Sequence, residues 1–242
     1  EFLAFKNSNL KTPLRKISRP IFAEFDRNYK EYITYGGFPG VVLKSSIEEK
    51  RLALEDVLSS YFQLEVRQLG DFRKIDVIRN LISLLIERAG AKLDISKLAS
   101  QLGVSRETIN NYIAFLEGTY FIKLIRPFSR NRDAEIRAAA KVYICDSGLV
   151  NQFSRASEGA LFENSVFNTL RGKGEVNYYQ KKSGVEIDFI LDKRLAYEVK
   201  ITPSQSDIKK LAALAKDLKL SGYRVISRVF CDLEKVTYGF NL

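Results

Sequence analysis

Gly184-Val-Glu-Ile-Asp-Phe-Ile-Leu-Asp-Lys-Arg-Leu-Ala-Tyr-Glu-Val-Lys200 reads as two β-strands around a short turn. Val185, Ile187, Phe189 and Leu191 alternate with Glu186, Asp188, Ile190 and Asp192, and Leu195, Tyr197, Val199 and Ile201 alternate with Ala196, Glu198 and Lys200. Side chains two apart on a strand face the same way. Asp188 is therefore expected to share a face with Glu186, and Glu198 with Lys200. In a hairpin, directly opposed residues share a face as well. A loop from Asp192 to Arg194 sets Asp188 opposite Glu198, whereas a loop shorter by one residue would bury one carboxylate behind the sheet. The apolar pattern selects the odd loop, although it contains no glycine for a left-handed position.

Two carboxylates at such close range repel each other unless positive charge stands between them. A hard divalent cation supplies it through oxygen ligands, and Mg²⁺ takes carboxylates together with waters and phosphate oxygens. A lysine two residues beyond the second acid reaches the same water or a scissile phosphate. Such a set suits hydrolysis of a phosphodiester. The plainer reading is a solvated strand face with cross-strand ion pairs.

The order Asp188, Glu198 and Lys200 on a hairpin resembles the PD-(D/E)xK nuclease superfamily, in its Holliday-junction-resolvase-like branch. That family also places an acid on a preceding helix, and Glu163 in Leu161-Phe-Glu-Asn-Ser-Val-Phe167 is the match. The resemblance implies Glu163, Asp188 and Glu198 as ligands of Mg²⁺ or Mn²⁺ and Lys200 as the group that polarises water or phosphate. Ile187 stands where the family name has its Pro. Over nearly the whole chain, Glu1-Phe-Leu-Ala-Phe-Lys, Tyr35-Gly-Gly-Phe-Pro, Lys141-Val-Tyr-Ile-Cys-Asp-Ser-Gly-Leu149 and the nuclease-like pieces are similar to the C-terminal region of a prokaryotic AAA-type ATPase family. Members of that family carry an N-terminal P-loop domain. No Gly-x4-Gly-Lys-Ser/Thr occurs here, so ATP is expected only in a domain outside this sequence.

The chain has 242 residues, 39 Lys and Arg against 29 Asp and Glu, a net charge of +10 and no His. Lack of His excludes His-dependent triads, His-bound zinc and HNH-type chemistry, leaving carboxylates, Lys, Tyr and Ser. The basic balance favours an anionic partner, and DNA is the commonest. Cys145 and Cys231 match no metal or redox spacing and suit a cytoplasmic protein. No membrane span or signal peptide is expected. The sequence does not begin with Met, as in a processed, truncated or recombinant chain.

The expected fold class is α/β overall. An all-α lid remnant covers 1–70, a winged helix-turn-helix 71–130 and a restriction-endonuclease-like domain with a mixed sheet 131–242. Residues 1–20 read as irregular, and a helix covers 21–35. Three glycines and a proline in Gly36-Gly-Phe-Pro-Gly40 make a tight turn. Ser46 starts a helix reaching Arg67 or Leu69, with Gly70 as its stop. Ile75 to Ile86 forms an amphipathic helix ending near Gly90. Asp94 to Glu117 resembles a helix-turn-helix, with Ala99 at the crossing, Gly103 in the turn and Ser105 as the cap. Tyr120 to Phe128 follows as a strand.

The second helix would lay Ser105, Arg106, Thr108, Asn110 and Asn111 in a major groove. Arg130, Arg132, Lys181 and Lys182 are candidates for phosphate contact. Asp146 is either an added acid near the metal or, more plainly, part of an Asp-Ser-Gly turn. A helix over 158–173, a strand over 175–180, a helix capped by Ser206 and a strand over 223–231 complete the order. The leading expectation is DNA binding with metal-dependent phosphodiester hydrolysis. The alternatives are a catalytically silent DNA- or protein-binding module of the ATPase and a protein-recognition platform. Oligomerisation is open.

Overall fold

The starts of the helices at Ile47, Ile95 and Arg106 follow from caps that the sequence supplies. The computed structural model describes residues 2–6, 17–66, 75–129, 139–181 and 183–242. Within the stretch expected to be irregular, α1 (Phe2–Phe5) is a single helical turn. α2 (Arg19–Tyr35) begins two residues earlier than expected, because Pro20 in its first turn has no N–H to leave unpaired. α3 (Pro39–Val42) leads to α4 (Ile47–Leu64), where Ser46 and Glu49 form a reciprocal capping box. The expected extension of α4 to Arg67 or Leu69, and Gly70 as its stop, lie outside the described residues.

α5 (Ile75–Glu87) buries Ile78, Leu81, Ile82, Leu85 and Ile86. α6 (Ile95–Leu102) is capped by Asp94, and α7 (Arg106–Gly118) by Ser105. Gly103 ends α6 at φ +65°, a left-handed position that glycine takes without steric cost. The strand expected over 120–128 shortens to β1 (Ile122–Ile125), which pairs antiparallel with β2 (Lys141–Ile144). Tyr120 stands at φ +60° just before it and so cannot extend the strand.

α8 (Ser147–Phe153) and α9 (Glu158–Leu170) precede a five-stranded mixed sheet. Its order is β3 (Val176–Gln180), β4 (Glu186–Leu191), β5 (Leu195–Lys200), β6 (Gly222–Ser227) and β7 (Val236–Tyr238). β3, β4 and β5 run antiparallel in turn, and β5, β6 and β7 run parallel. α10 (Gln205–Asp217) makes the crossover between β5 and β6. Its cap is Ser204, paired with Asp207 in a capping box, not the expected Ser206. Ser206 has no acid three residues later to close such a box. β6 ends at Ser227, short of the expected 231. The chain is α/β overall.

Two apolar layers cover the sheet. Phe162, Phe167, Phe189, Leu191 and Ile226 form the layer under α9, into which α2 also sends Tyr29 and Ile33. Ile187, Ile190, Ala196, Leu211 and Val225 form the layer under α10. A third core joins α4 to α8 with β1 and β2. These layers contradict the strict alternation expected for β4, since Ile187 and Phe189 pack on opposite faces. The cause is a β-bulge. Asn177 pairs with Ile190 but Tyr179 pairs with Ile187, so Tyr178 alone opposes both Asp188 and Phe189.

The loop of the hairpin is the odd one, with Leu191 paired to Leu195. Asp192 and Lys193 take φ +50° and +57° in place of glycine. The Asp192 carboxylate accepts the Glu175 backbone N–H at 2.9 Å, which anchors the strained turn.

Candidate functional site: an acid cluster at the bulge

The bulge sets Asp188 at the end of the β4–β5 ladder. Regular pairing is last seen at Phe189 and Tyr197, and there the Asp188 Oδ2 accepts the Val199 backbone N–H at 2.7 Å. Burial pushes the Asp188 pKa well above the carboxylate range, and the charges of Glu198 and Glu163 push it further. Burial also raises Glu198, against the pull of Lys200, whose ammonium lies 2.7 Å from its Oε1. Burial opposes the charge on Lys200, yet Glu198 and Asp188 prevail and raise its pKa. Lys200 therefore stays protonated at neutral pH.

Glu163 reaches the cluster from α9. Its neighbour Asn164 is fully buried and fixes the helix on β2, accepting the Ile144 N–H at 2.9 Å and donating to the Ile144 carbonyl at 3.1 Å. The Glu163 Oε1 then accepts the Tyr143 hydroxyl at 2.6 Å and lies 3.7 Å from the Lys141 ammonium. Lys141 also pairs with Glu186, and its ammonium stands 5.5 Å from the centre of the Tyr178 ring. Burial works against the Lys141 charge, but Glu163 and Glu186 outweigh it and its pKa rises. Tyr143 is pushed well up by burial and then by Glu163, so it remains a neutral donor.

The expected site residues thus form one electrostatic cluster in two parts. Glu163 and Glu186 are held by Lys141 on the α9 side. Glu198 and Lys200 alternate with Tyr197 and Val199, which pack under α9. Asp188 lies between and senses both parts. Among the described residues no three acidic or cysteine side chains stand together closely enough to hold a metal ion as they are arranged.

The other candidates are dispersed. Ser105, Arg106, Asn110 and Asn111 are exposed on and just before α7, and the Thr108 hydroxyl is engaged with Ser105 at 3.0 Å. Lys181 pairs with Asp217 at 3.1 Å. Arg130, Arg132 and Lys182 lie outside the described residues. Asp146 is no part of the acid cluster. It accepts the backbone N–H of Gly37 at 2.7 Å and of Gly148 at 2.8 Å, and burial raises its pKa to about 6. This lock accounts for two glycines. A Cβ on Gly36, at φ +78°, would stand 1.8 Å from the Asp146 Oδ1, and one on Gly148 would stand 2.4 Å from the Tyr35 backbone.

Comparison with known proteins places this architecture. Residues 26–159 match the family model described as a domain of unknown function, DUF8612. The chain belongs to that family. Residues 158–234 match a second domain of unknown function, DUF4143. An uncharacterised protein of Methanocaldococcus jannaschii is 32% identical over 98% of this chain and 57% of its own length. One from Haemophilus influenzae is 25% identical over 75% of this chain and 49% of its own length. One from Mycobacterium tuberculosis is 21% identical over 79% and 47% respectively. The chain spans about half the length of the curated relatives it matches. No solved structure matches it.

The acid cluster draws on both matched regions of this DUF8612 protein. Lys92, Lys141 and Tyr143 lie in the first match, and Glu163, Glu186, Asp188, Glu198 and Lys200 in the second. Lys92 crosses the boundary to donate to the Gln180 side chain, and Gln180 in turn donates to Glu186 at 3.0 Å. Sequence reasoning missed Lys141, Tyr143, Asn164 and Glu186 as partners. Lys141 and Tyr143 are two apart on one strand, so a shared face was the available signal.

Proposed function

We propose that this chain is the nucleic-acid-processing part of a longer protein, with a metal-dependent phosphodiester-hydrolysing site at the acid cluster. The observation that carries the proposal is the crowding of Asp188, a half-buried carboxylate whose charged form is opposed by Glu198 and Glu163. Among the described residues, four carboxylates, Glu163, Glu186, Asp188 and Glu198, gather with the ammonium groups of Lys141 and Lys200, and Lys92 is tied to them through Gln180. That oxygen-rich excess of negative charge fits a hard divalent cation. As arranged these acids stand too far apart for three of them to hold one ion, so Asp188, Glu198 and Glu163 would have to close on Mg²⁺ or Mn²⁺ to hold it, and the ion would then polarise a phosphate oxygen and acidify a bound water.

The chain's own groups have narrower duties. Lys200 is protonated, so it serves as a fixed positive charge toward phosphate and not as the base. Asp188 is held in place by the Val199 N–H. α5 to β2 read as a winged helix-turn-helix that would supply DNA binding through the exposed face of α7. The greater length of the relatives leaves room for the P-loop ATPase domain that the resemblance implies, and we read this chain as its C-terminal region, working in the cytoplasm. Among the described residues no helix is long and apolar enough to cross a membrane.

A second reading has its own observation. Lys141 already neutralises Glu163 and Glu186, which suits a catalytically silent module that binds DNA or protein for the ATPase. Cleavage of supercoiled plasmid in Mg²⁺ or Mn²⁺ tests the first reading. Activity should vanish in Asp188→Ala and Lys200→Ala, and activity unchanged from the wild type in these variants rejects these roles. Salt-sensitive DNA binding without divalent-cation affinity in calorimetry selects the second.

A further inference from the structure

We infer that the cleft between β1 and β3 holds a segment of single-stranded nucleic acid, with Tyr120 as the platform for an unstacked base and Lys123, Arg126 and Arg171 as the phosphate contacts. The inference rests on the nucleic-acid reading above and needs neither the metal nor the exposed face of α7. Tyr120 is the first observation. It follows α7 at φ +60°, and the N–H groups of Tyr120 and Phe121 donate back to the carbonyls of Glu117 and Leu116 at 3.1 and 3.0 Å. Glycine usually makes a helix ending of this kind, since a side chain in the left-handed region meets a steric cost. Burial does not offset that cost at Tyr120, which is 82% exposed. A bulky ring held at a strained position and facing water is a mark of function and a ready stacking surface.

The cleft beside Tyr120 is the second observation. It measures about 710 Å³, and Lys123, Arg126 and Arg171 line it together with the tyrosine. That is the size of a site for single nucleotides. A duplex keeps its base faces stacked and has none to offer the ring. Lys123 and Arg126 come from the first matched region and Arg171 from the second. β3 fixes the end of β1 here, because the Arg126 carbonyl accepts the Tyr178 N–H at 3.2 Å and the Asn177 side-chain amide at 3.4 Å. Arg171 donates to the Cys145 carbonyl at 3.2 Å, which holds its guanidinium at the cleft wall, and the fork has further donors for a phosphate. Two acids also line the cleft, and both are engaged. Glu117 accepts the Leu124 N–H at 3.1 Å and pairs with Lys123 at 3.0 Å, while Glu175 lies 3.7 Å from the Lys193 ammonium. Exposed pairs of this kind are weak, so Lys123 can turn to a phosphate at little cost.

The test is fluorescence anisotropy on the whole chain, with labelled oligothymidylate, oligouridylate and a DNA duplex of the same length. Tyr120→Gly should bind the single strands about tenfold more weakly, the size of one base–aromatic stack, and the duplex as before. Its denaturation midpoint should hold or rise, because glycine takes the positive φ without steric cost. Tyr120→Phe keeps the ring and should bind within about twofold of the wild type. Lys123→Gln should weaken single-strand binding a few-fold and flatten the slope of log affinity against log salt by about 0.7. Arg106→Ala, on α7, should weaken only the duplex. The single strand bound more tightly names the preferred sugar, and a loss in Tyr120→Gly on either strand supports the inference. Single-strand binding that is unchanged in Tyr120→Gly, or lost as fully in Tyr120→Phe, overturns it and leaves α7 as the nucleic-acid surface. An equal loss on the duplex overturns the assignment to single strands. No binding of any of the three by the wild type overturns the nucleic-acid reading as well.

Discussion

Asp146, just past β2, is a buried carboxylate and Asp188, inside β4, a half-buried one, and their surroundings settle them in different ways. Asp146 accepts two backbone N–H groups, from Gly37 and Gly148, and the charge acting on it from a side chain is the favourable one of Arg171. Asp188 accepts one, from Val199, and sits against the like charges of Glu198 and Glu163. Backbone donors offset part of the burial of a carboxylate, and a crowd of acids adds to it. The first arrangement explains itself as structure, because it locks α2 to α8. The second leaves unfavourable energy in the free protein that a cation would relieve, which is the usual mark of a functional site.

Breaking the lock should have the largest effect. Gly36→Ala drives a Cβ into Asp146 at a positive φ, and should cost about 4 kcal/mol or unfold the chain in a denaturant melt. The pH dependence of the lock comes next. Asp146 has a folded pKa raised to about 6 from 3.8, so the folded state binds a proton more readily between those values. Its contribution to stability is fully present below the lower value and is lost as pH rises through the upper one. Relative to Asp146→Asn, the wild type should gain up to about 3 kcal/mol as pH falls from 7 to 4, measured by chemical denaturation at each pH.

Asp188→Asn probes the other side of the comparison. The amide oxygen can still accept the Val199 N–H, but the charge that opposes Glu198 and Glu163 is gone. At a pH high enough to ionise Asp188, the metal-free variant should therefore be more stable than the wild type, on the order of 1–2 kcal/mol in the same denaturation experiment, and it should lose plasmid cleavage. A destabilised Asp188→Asn would place Asp188 with Asp146 as a structural acid. The smallest effect concerns α7. Arg106→Ala should weaken DNA binding only a few-fold at low salt and flatten its salt dependence slightly, because one exposed cation contributes one phosphate contact at most.

Local features were legible in the sequence and long-range ones were not. The odd hairpin loop followed from the apolar pattern, even though Asp192 and Lys193 do the work expected of glycine. The caps at Ser46 and Ser105 each depend on residues within one turn, and so does the cap at Asp94, which the sequence reading did not name. Ser204 was also legible, through Asp207 three residues on, and was passed over for Ser206. The bulge had a weaker signal. Phe189, Ile190 and Leu191 are consecutive apolar residues, which strict alternation with one solvated face does not allow. Beyond the face it shares with Tyr143, nothing local pointed to the Lys141 contacts with Glu163 and Glu186, because a lysine at the head of the apolar strand Lys141–Ile144 reads as an exposed strand end. Its burial depends on α9 and β4, which arrive later in the chain. The same holds for the two glycines of the lock, whose need became visible only once Tyr35 and Asp146 were packed together.

The central claim is that the cluster around Asp188 holds repulsion that a divalent cation relieves. Thermal unfolding of the wild type and of Asp188→Asn, each with and without Mn²⁺, tests it most directly. A cation bound at one hundred times its Kd stabilises the folded state by about 2.7 kcal/mol, so the wild-type midpoint should rise clearly. Asp188→Asn should start higher and stay where it is. A wild-type midpoint that ignores Mn²⁺, or an equal rise in both proteins, would contradict the account.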